Sequence, residues 1–145
     1  PFTALESVAE AIDGKHVGYG AQDLHWEDEG AYTGAVSGKM IADICAEYVL
    51  IGHSERRTMF GDNEVAVAKK MRAAYRNGLK PMLCVGENAQ ERAEGKTSRK
   101  ISMQLKSALK ALLLMKRKFW LLPMNHCGLL AAVRLQLLKM LRKYA

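Results

Sequence analysis

The residues best equipped for chemistry lie in one run, His53-Ser54-Glu55-Arg56-Arg57. An imidazole and a carboxylate two positions apart can share acid–base work, because histidine changes charge near neutral pH and a carboxylate beside it can act with it. Glu55 could equally be a structural partner for a nearby cation. Arg56 and Arg57 have the charge to hold a phosphate, but a structural ion pair is the plainer reading. Two further polar sets stand out, Gln22-Asp23-Leu24-His25-Trp26 and Glu87-Asn88. Cys84 closes an apolar run and reads as a packed, inert thiol. Cys45, Cys84 and Cys127 are odd in number and far apart. They suit neither a disulfide framework nor a zinc pair, so no metal is expected and a reducing compartment is the default.

The elements that must position these residues can be read from periodicity. Residues 4–12 have helical spacing, with Leu5, Val8 and Ile12 on one face. Residues 16–22 read as a short buried strand whose glycines suggest close backbone approach. Residues 37–45 read as a helix with Ser37 as its cap. Tyr48-Val49-Leu50-Ile51-Gly52 is a continuous apolar run, the pattern of a strand buried on both faces. A helix is expected over 63–77, stopped by Gly78, then a second buried strand over 81–86. Residues 90–110 read as mostly helical. Strands alternating with helices of this length predict a parallel α/β sheet. No Gly-x-Gly-x-x-Gly follows a strand, which leaves a dinucleotide-binding fold little support. His53, Gln22 and Glu87 all fall at carboxyl ends of strands, where barrels keep their catalytic groups, and this favours a (β/α)₈ barrel.

Of the 145 residues, 49% are apolar and 26% charged, which suits a chain with a real core. The formal charge of +7 is unevenly spread. Residues 1–94 carry all 15 acidic groups and ten Lys and Arg, net −5, whereas residues 95–145 carry twelve Lys and Arg and no acid, net +12. A basic arm for nucleic acid or an anionic membrane is one reading of that shift. The arm has few aromatics (Phe119, Trp120 and Tyr144), so a base-stacking platform is poorly supported. No stretch is long and apolar enough to span a bilayer. The first residues lack the pattern of a secretion signal, and the missing initiator Met suggests a fragment.

The run Tyr48-Val49-Leu50-Ile51-Gly52-His53-Ser54-Glu55-Arg56-Arg57 resembles, nearly letter for letter, the fourth strand and active-site histidine of the triosephosphate isomerase family. Gly20-Ala21-Gln22-Asp23 through Gly30-Ala31-Tyr32-Thr33-Gly34 resembles the family's third strand and dimer loop. Pro81-Met82-Leu83-Cys84-Val85-Gly86-Glu87 resembles its fifth strand. The resemblance covers about residues 1–110. It implies part of a barrel, from about helix 2 to helix 5, with residues 111–145 as a non-native basic helical tail that forms no domain of its own. Departures are modest: Asp62 and Ala35 stand where Glu is common.

The family interconverts dihydroxyacetone phosphate and glyceraldehyde 3-phosphate in glycolysis and gluconeogenesis, without a cofactor. A glutamate moves a carbon-bound proton, a neutral histidine polarises the carbonyl, and a first-strand lysine stabilises the enediolate. Carried over residue by residue, His53 is the histidine, and Ser54, Glu55 and Cys84 belong to its surroundings. Tyr32, Thr33 and Gly34 belong to the loop that reaches a partner in a cytoplasmic homodimer. Neither nucleic acid nor membrane is an expected partner; the basic-arm binding module stands as the alternative.

The tail does not continue the family's sequence, and no Glu follows Glu94. The genetic code suggests why. Reading the third base of each codon with the first two of the next, Met124 and Asn125 must give GAA, a glutamate. His126 and Cys127 must give a leucine. Permitted choices around these two spell Ala-Tyr-Glu-Pro-Leu-Trp-Ala-Ile-Gly-Ser-Gly-Lys, which is similar to the family's base strand and lid. A reading-frame slip between Lys110 and Met115 is therefore expected. The chain as written would lack the base and the first-strand lysine. It would carry three parallel strands with two open edges, fold poorly alone and have negligible isomerase activity.

Overall fold

In the computed structural model, residues 1–113 and 120–123 are described, with side chains described over 1–110. A 3₁₀ turn at Phe2–Ala4 leads into α1 (Leu5–Ala11). The order continues as β1 (Gly20–Ala21), α2 (Gly38–Asp43), β2 (Tyr48–Ile51), α3 (Ser54–Met59), α4 (Glu64–Arg76), β3 (Lys80–Val85), α5 (Ala89–Ala93), α6 (Thr97–Leu113) and β4 (Trp120–Pro123). The four strands form one parallel sheet in the order β1-β2-β3-β4. Strands joined through helices, each placed beside the last, make the repeating β–α unit of a barrel wall.

Local chemistry fixes most boundaries. Ser37 caps α2 by accepting from the Met40 N–H. Asn63 caps α4, taking the N–H groups of Val65 and Ala66 at 3.0 Å. Asn88 and Glu91 form a reciprocal capping box at α5. Val49, Ile51, Leu83 and Val85 are all but fully buried and pack with Val67 and Met71 of α4 and Ile101 and Leu105 of α6.

Three expectations change, and one is refined. The strand expected over 16–22 is reduced to Gly20–Ala21, because only there does the chain pair with Tyr48 and Val49. The stretch 90–110 is mostly helical as expected, and it divides into α5 and α6 where Gly95 turns to φ +66°, a conformation that side chains resist. Among the described residues the sheet has four strands, not three, and β4 lies inside the region read as helical tail. A four-residue apolar stretch, Trp120–Pro123, suits a strand beside the buried β3 better than an isolated helical turn. The rest of that tail expectation, over 114–119 and 124–145, lies outside the described residues. Among the described residues no helix is long and apolar enough to cross a membrane.

Candidate active site at the carboxyl ends of the strands

β2 ends in Gly52, whose φ of +74° and whose neighbour both exclude a side chain: a Cβ there would meet the Arg57 guanidinium at 2.7 Å. That turn delivers His53 as the N-cap of α3. Its Nδ1 accepts the Glu55 backbone N–H at 3.3 Å. That contact ties Nδ1 to the first turn of α3 and leaves Nε2 as the ring nitrogen without a partner in α3. The Glu55 carboxylate stands 3.6 Å from the same nitrogen and is largely exposed, at 69%. His53 itself is 27% exposed, open enough to meet a ligand.

Cys84 lies one residue before the end of β3, on the neighbouring strand. It is fully buried, and that burial pushes its thiol up to about 11 despite the opposing charge of Arg57. Ser54 is exposed and contributes to a cavity of about 130 Å³ with Gly52, Arg57, Gly86, Glu87 and Gln104. The structure therefore brings His53, Ser54, Glu55 and Cys84 to one end of two adjacent strands.

Arg56 and Arg57 make structural ion pairs. Arg57 donates to the Gly52 carbonyl at 2.7 Å and to Glu64 at 2.6 Å. Arg56 reaches Asp23 at 3.1 Å and lies over the Phe60 ring. Trp26 is partly buried against the core under the Lys69 ammonium. Tyr32, Thr33 and Gly34 are exposed at the tip of a loop closed at its base by the His25 N–H on the Val36 carbonyl, 2.8 Å. The Tyr32 ring folds back to within 4.5 Å of the His25 ring. Among the described residues no group of three or more His, Cys, Asp or Glu is placed to hold a metal ion.

The sequence model described as triosephosphate isomerase matches residues 1–119. The chain belongs to the triosephosphate isomerase family. A triosephosphate isomerase of Moorella thermoacetica is 51% identical over 112 residues, which cover 77% of this chain and 45% of that protein. That of Acetivibrio thermocellus is 48% identical over 109 residues, 75% of this chain and 43% of that protein. The crystal structure of triosephosphate isomerase from Bartonella henselae superposes with a TM-score of 0.71 at 37% identity. It covers 73% of this chain and 45% of that chain. The chain thus spans rather less than half the length of these triosephosphate isomerase relatives.

Two supports of this triosephosphate isomerase segment escaped the sequence reading. Gln104, almost fully buried in α6, grips both backbone groups of Gly86: it accepts the N–H at 2.9 Å and donates to the carbonyl at 3.0 Å. It thereby fixes the turn after β3. Its only signal was a polar residue beside Ile101, Leu105 and Ala108 on the helix's apolar face. Lys70, also buried, donates to Asp23 at 2.7 Å and to Asp62 at 2.6 Å, tying the turn after β1 to α4. Residues 47 and eight positions away in sequence gave no local hint of that pairing.

Proposed function

We propose that this chain carries the carbonyl-polarising half of a triosephosphate isomerase site. It would serve the interconversion of dihydroxyacetone phosphate and glyceraldehyde 3-phosphate in the cytoplasm. The observation that carries the reading is the bond from the Glu55 N–H to His53 Nδ1. It orients the ring so that Nε2 can face a substrate carbonyl, the role the family gives this histidine. Ser54, Glu55 and Cys84 support that ring from the ends of β2 and β3. Tyr32, Thr33 and Gly34 form the loop that meets a partner in a homodimer. No cofactor is needed for proton transfer through an enediolate.

The organisation goes with this reading. Residues 1–110 are the barrel segment read in frame, and 111–145 are a tail written out of frame, although its Trp120–Pro123 still lies beside β3. The shifted codons at 124–125 restore a glutamate where the family keeps its base. The chain as written then has an electrophile without a base, and its isomerase turnover should be negligible. Turnover near that of intact relatives would contradict this. An independent nucleotide read across codons 105–135 tests the tail directly. A one-base change that restores Ala-Tyr-Glu-Pro supports the reading; an intact frame as written overturns it.

A further inference from the structure

Asn77 caps the carboxyl end of α4, and of the four asparagines it alone is followed by a glycine. In an Asn-Gly pair the glycine nitrogen can attack the asparagine side-chain carbonyl carbon, because glycine puts no Cβ in its path. The space is open here. Gly78 is exposed at φ +75°, and a Cβ on it would meet nothing within 4 Å.

The end of α4 holds the reacting groups apart. The Gly78 N–H donates to the Tyr75 carbonyl at 3.2 Å, and Asn77 keeps a near-helical φ of −93° and ψ of 12°. Asn77 Nδ2 donates to Asp28 at 2.7 Å and to the Ala73 carbonyl at 2.9 Å. It also lies against Gly38, where a Cβ would come within 2.9 Å of it. Arg76 grips Asp28 as well, at 2.6 Å, and donates to the Trp26 carbonyl at 2.8 Å. These bonds fasten the loop over 26–36 to the end of α4.

We propose that Asn77 is a deamidation site and that its modification unfastens this loop. The Gly78 nitrogen bonds to Asn77 Cγ and gives up its proton. The Cγ–Nδ2 bond breaks, and ammonia leaves with that proton. Water then opens the cyclic imide to aspartate or isoaspartate. The product sets a carboxylate where Nδ2 stood, with no hydrogen to offer Asp28 or the Ala73 carbonyl. Asp28 is ionised at neutral pH, since hydrogen bonds from Arg76 and then Asn77 hold it below its ordinary 3.8, so like charges meet. A negative group at a helix carboxyl end also opposes the helix dipole. The attack waits on the opening of the last turn of α4, so the bonds to Asp28 set its rate. This modification is independent of the chemistry assigned to His53.

Peptide mapping by mass spectrometry during incubation at mildly alkaline pH tests it. The peptide holding Asn77 should exchange NH for O in mass and gain isoaspartate. Asp28→Ala should quicken this about tenfold, as loss of one hydrogen bond to a charged group would. Cleavage after exposed Glu27 and Glu29 by a glutamate-specific protease should rise in step with the modified fraction. Asn77→Asp should show that rise from the outset, and Asn77→Ser, which drops the hydrogen bonds without adding charge, a smaller one. An Asn77 left intact in the folded chain, a rate unmoved by Asp28→Ala, or equal cleavage of the Asp and Ser variants overturns the proposal. Should the variants fail to fold, the unaltered chain decides: cleavage at Glu27 and Glu29 that does not follow the modified fraction overturns it.

Discussion

Val49 and Leu50 are adjacent in β2, yet Val49 is fully buried and Leu50 is only half so; Leu83 and Met82 repeat the contrast in β3. The two faces of one sheet are in different states of completion. The outer face is closed by α4 and α6, which the chain carries itself. The inner face holds the half-buried Tyr48, Leu50 and Met82, and only Cys84 on it is fully buried among the described residues of β2 and β3. A strand that reads as buried on both sides can thus be packed unequally on its two sides.

The largest expected effect separates those faces. Leu83→Ala should cost about 3 kcal/mol of unfolding free energy, from lost burial and the cavity left behind. Leu50→Ala, at a half-buried position on the other face, should cost about 1 kcal/mol. Equal losses in urea unfolding would erase the contrast. Next in size is the buried cation. Lys70→Met leaves Asp23 and Asp62 facing each other without their shared partner, and should cost about 3 kcal/mol. An unchanged urea midpoint would show that Arg56 alone balances both carboxylates.

A smaller effect, of opposite sign, lies at Cys45. It follows the end of α2 at φ +59°, the left-handed conformation that suits glycine and costs any other residue. Cys45→Gly should stabilise by about 1 kcal/mol, read as a raised thermal midpoint. The two described cysteines also differ in access. Exposed Cys45 should react with a maleimide well before buried Cys84, whose thiol is pushed up to about 11, as peptide mapping would show.

The smallest effect is in acid. Hydrogen bonds from Arg76, then Asn77, hold Asp28 below its ordinary 3.8. Hydrogen bonds from Lys100 and the Asn88 N–H hold Glu91 below 4.5. Both are depressed in the folded state, so the unfolded chain binds more protons as the pH falls. Their stabilisation is complete above about pH 5.5 and is lost progressively below about 4.5. Asp28→Asn should flatten part of that acid loss in a series of thermal midpoints; an identical acid slope would contradict it.

The periodic parts of the sequence were legible. Apolar runs marked β2 and β3, and Ser37, Asn63 and Gly78 marked helix ends through local backbone chemistry. The run after Gly52 carried its histidine, and Arg56 and Arg57 read correctly as ion-pair residues. Contacts made across the fold were hidden. Nothing beside Lys70 announces Asp23, and nothing beside Gln104 announces Gly86. β1 looked longer because glycine-rich extended chain resembles a strand until pairing is known. β4 was hidden because the composition around it is basic and leucine-rich and only Trp120 among its four residues favours a strand.

The most direct test of the account replaces the matched segment of the Moorella thermoacetica relative with residues 1–110. The quantity to measure is kcat/KM for triose phosphate, with and without His53→Gln. The account predicts a working isomerase that loses at least about a hundredfold on that change, the usual scale for a positioned proton-handling group. A folded chimera whose turnover is indifferent to His53 would contradict it.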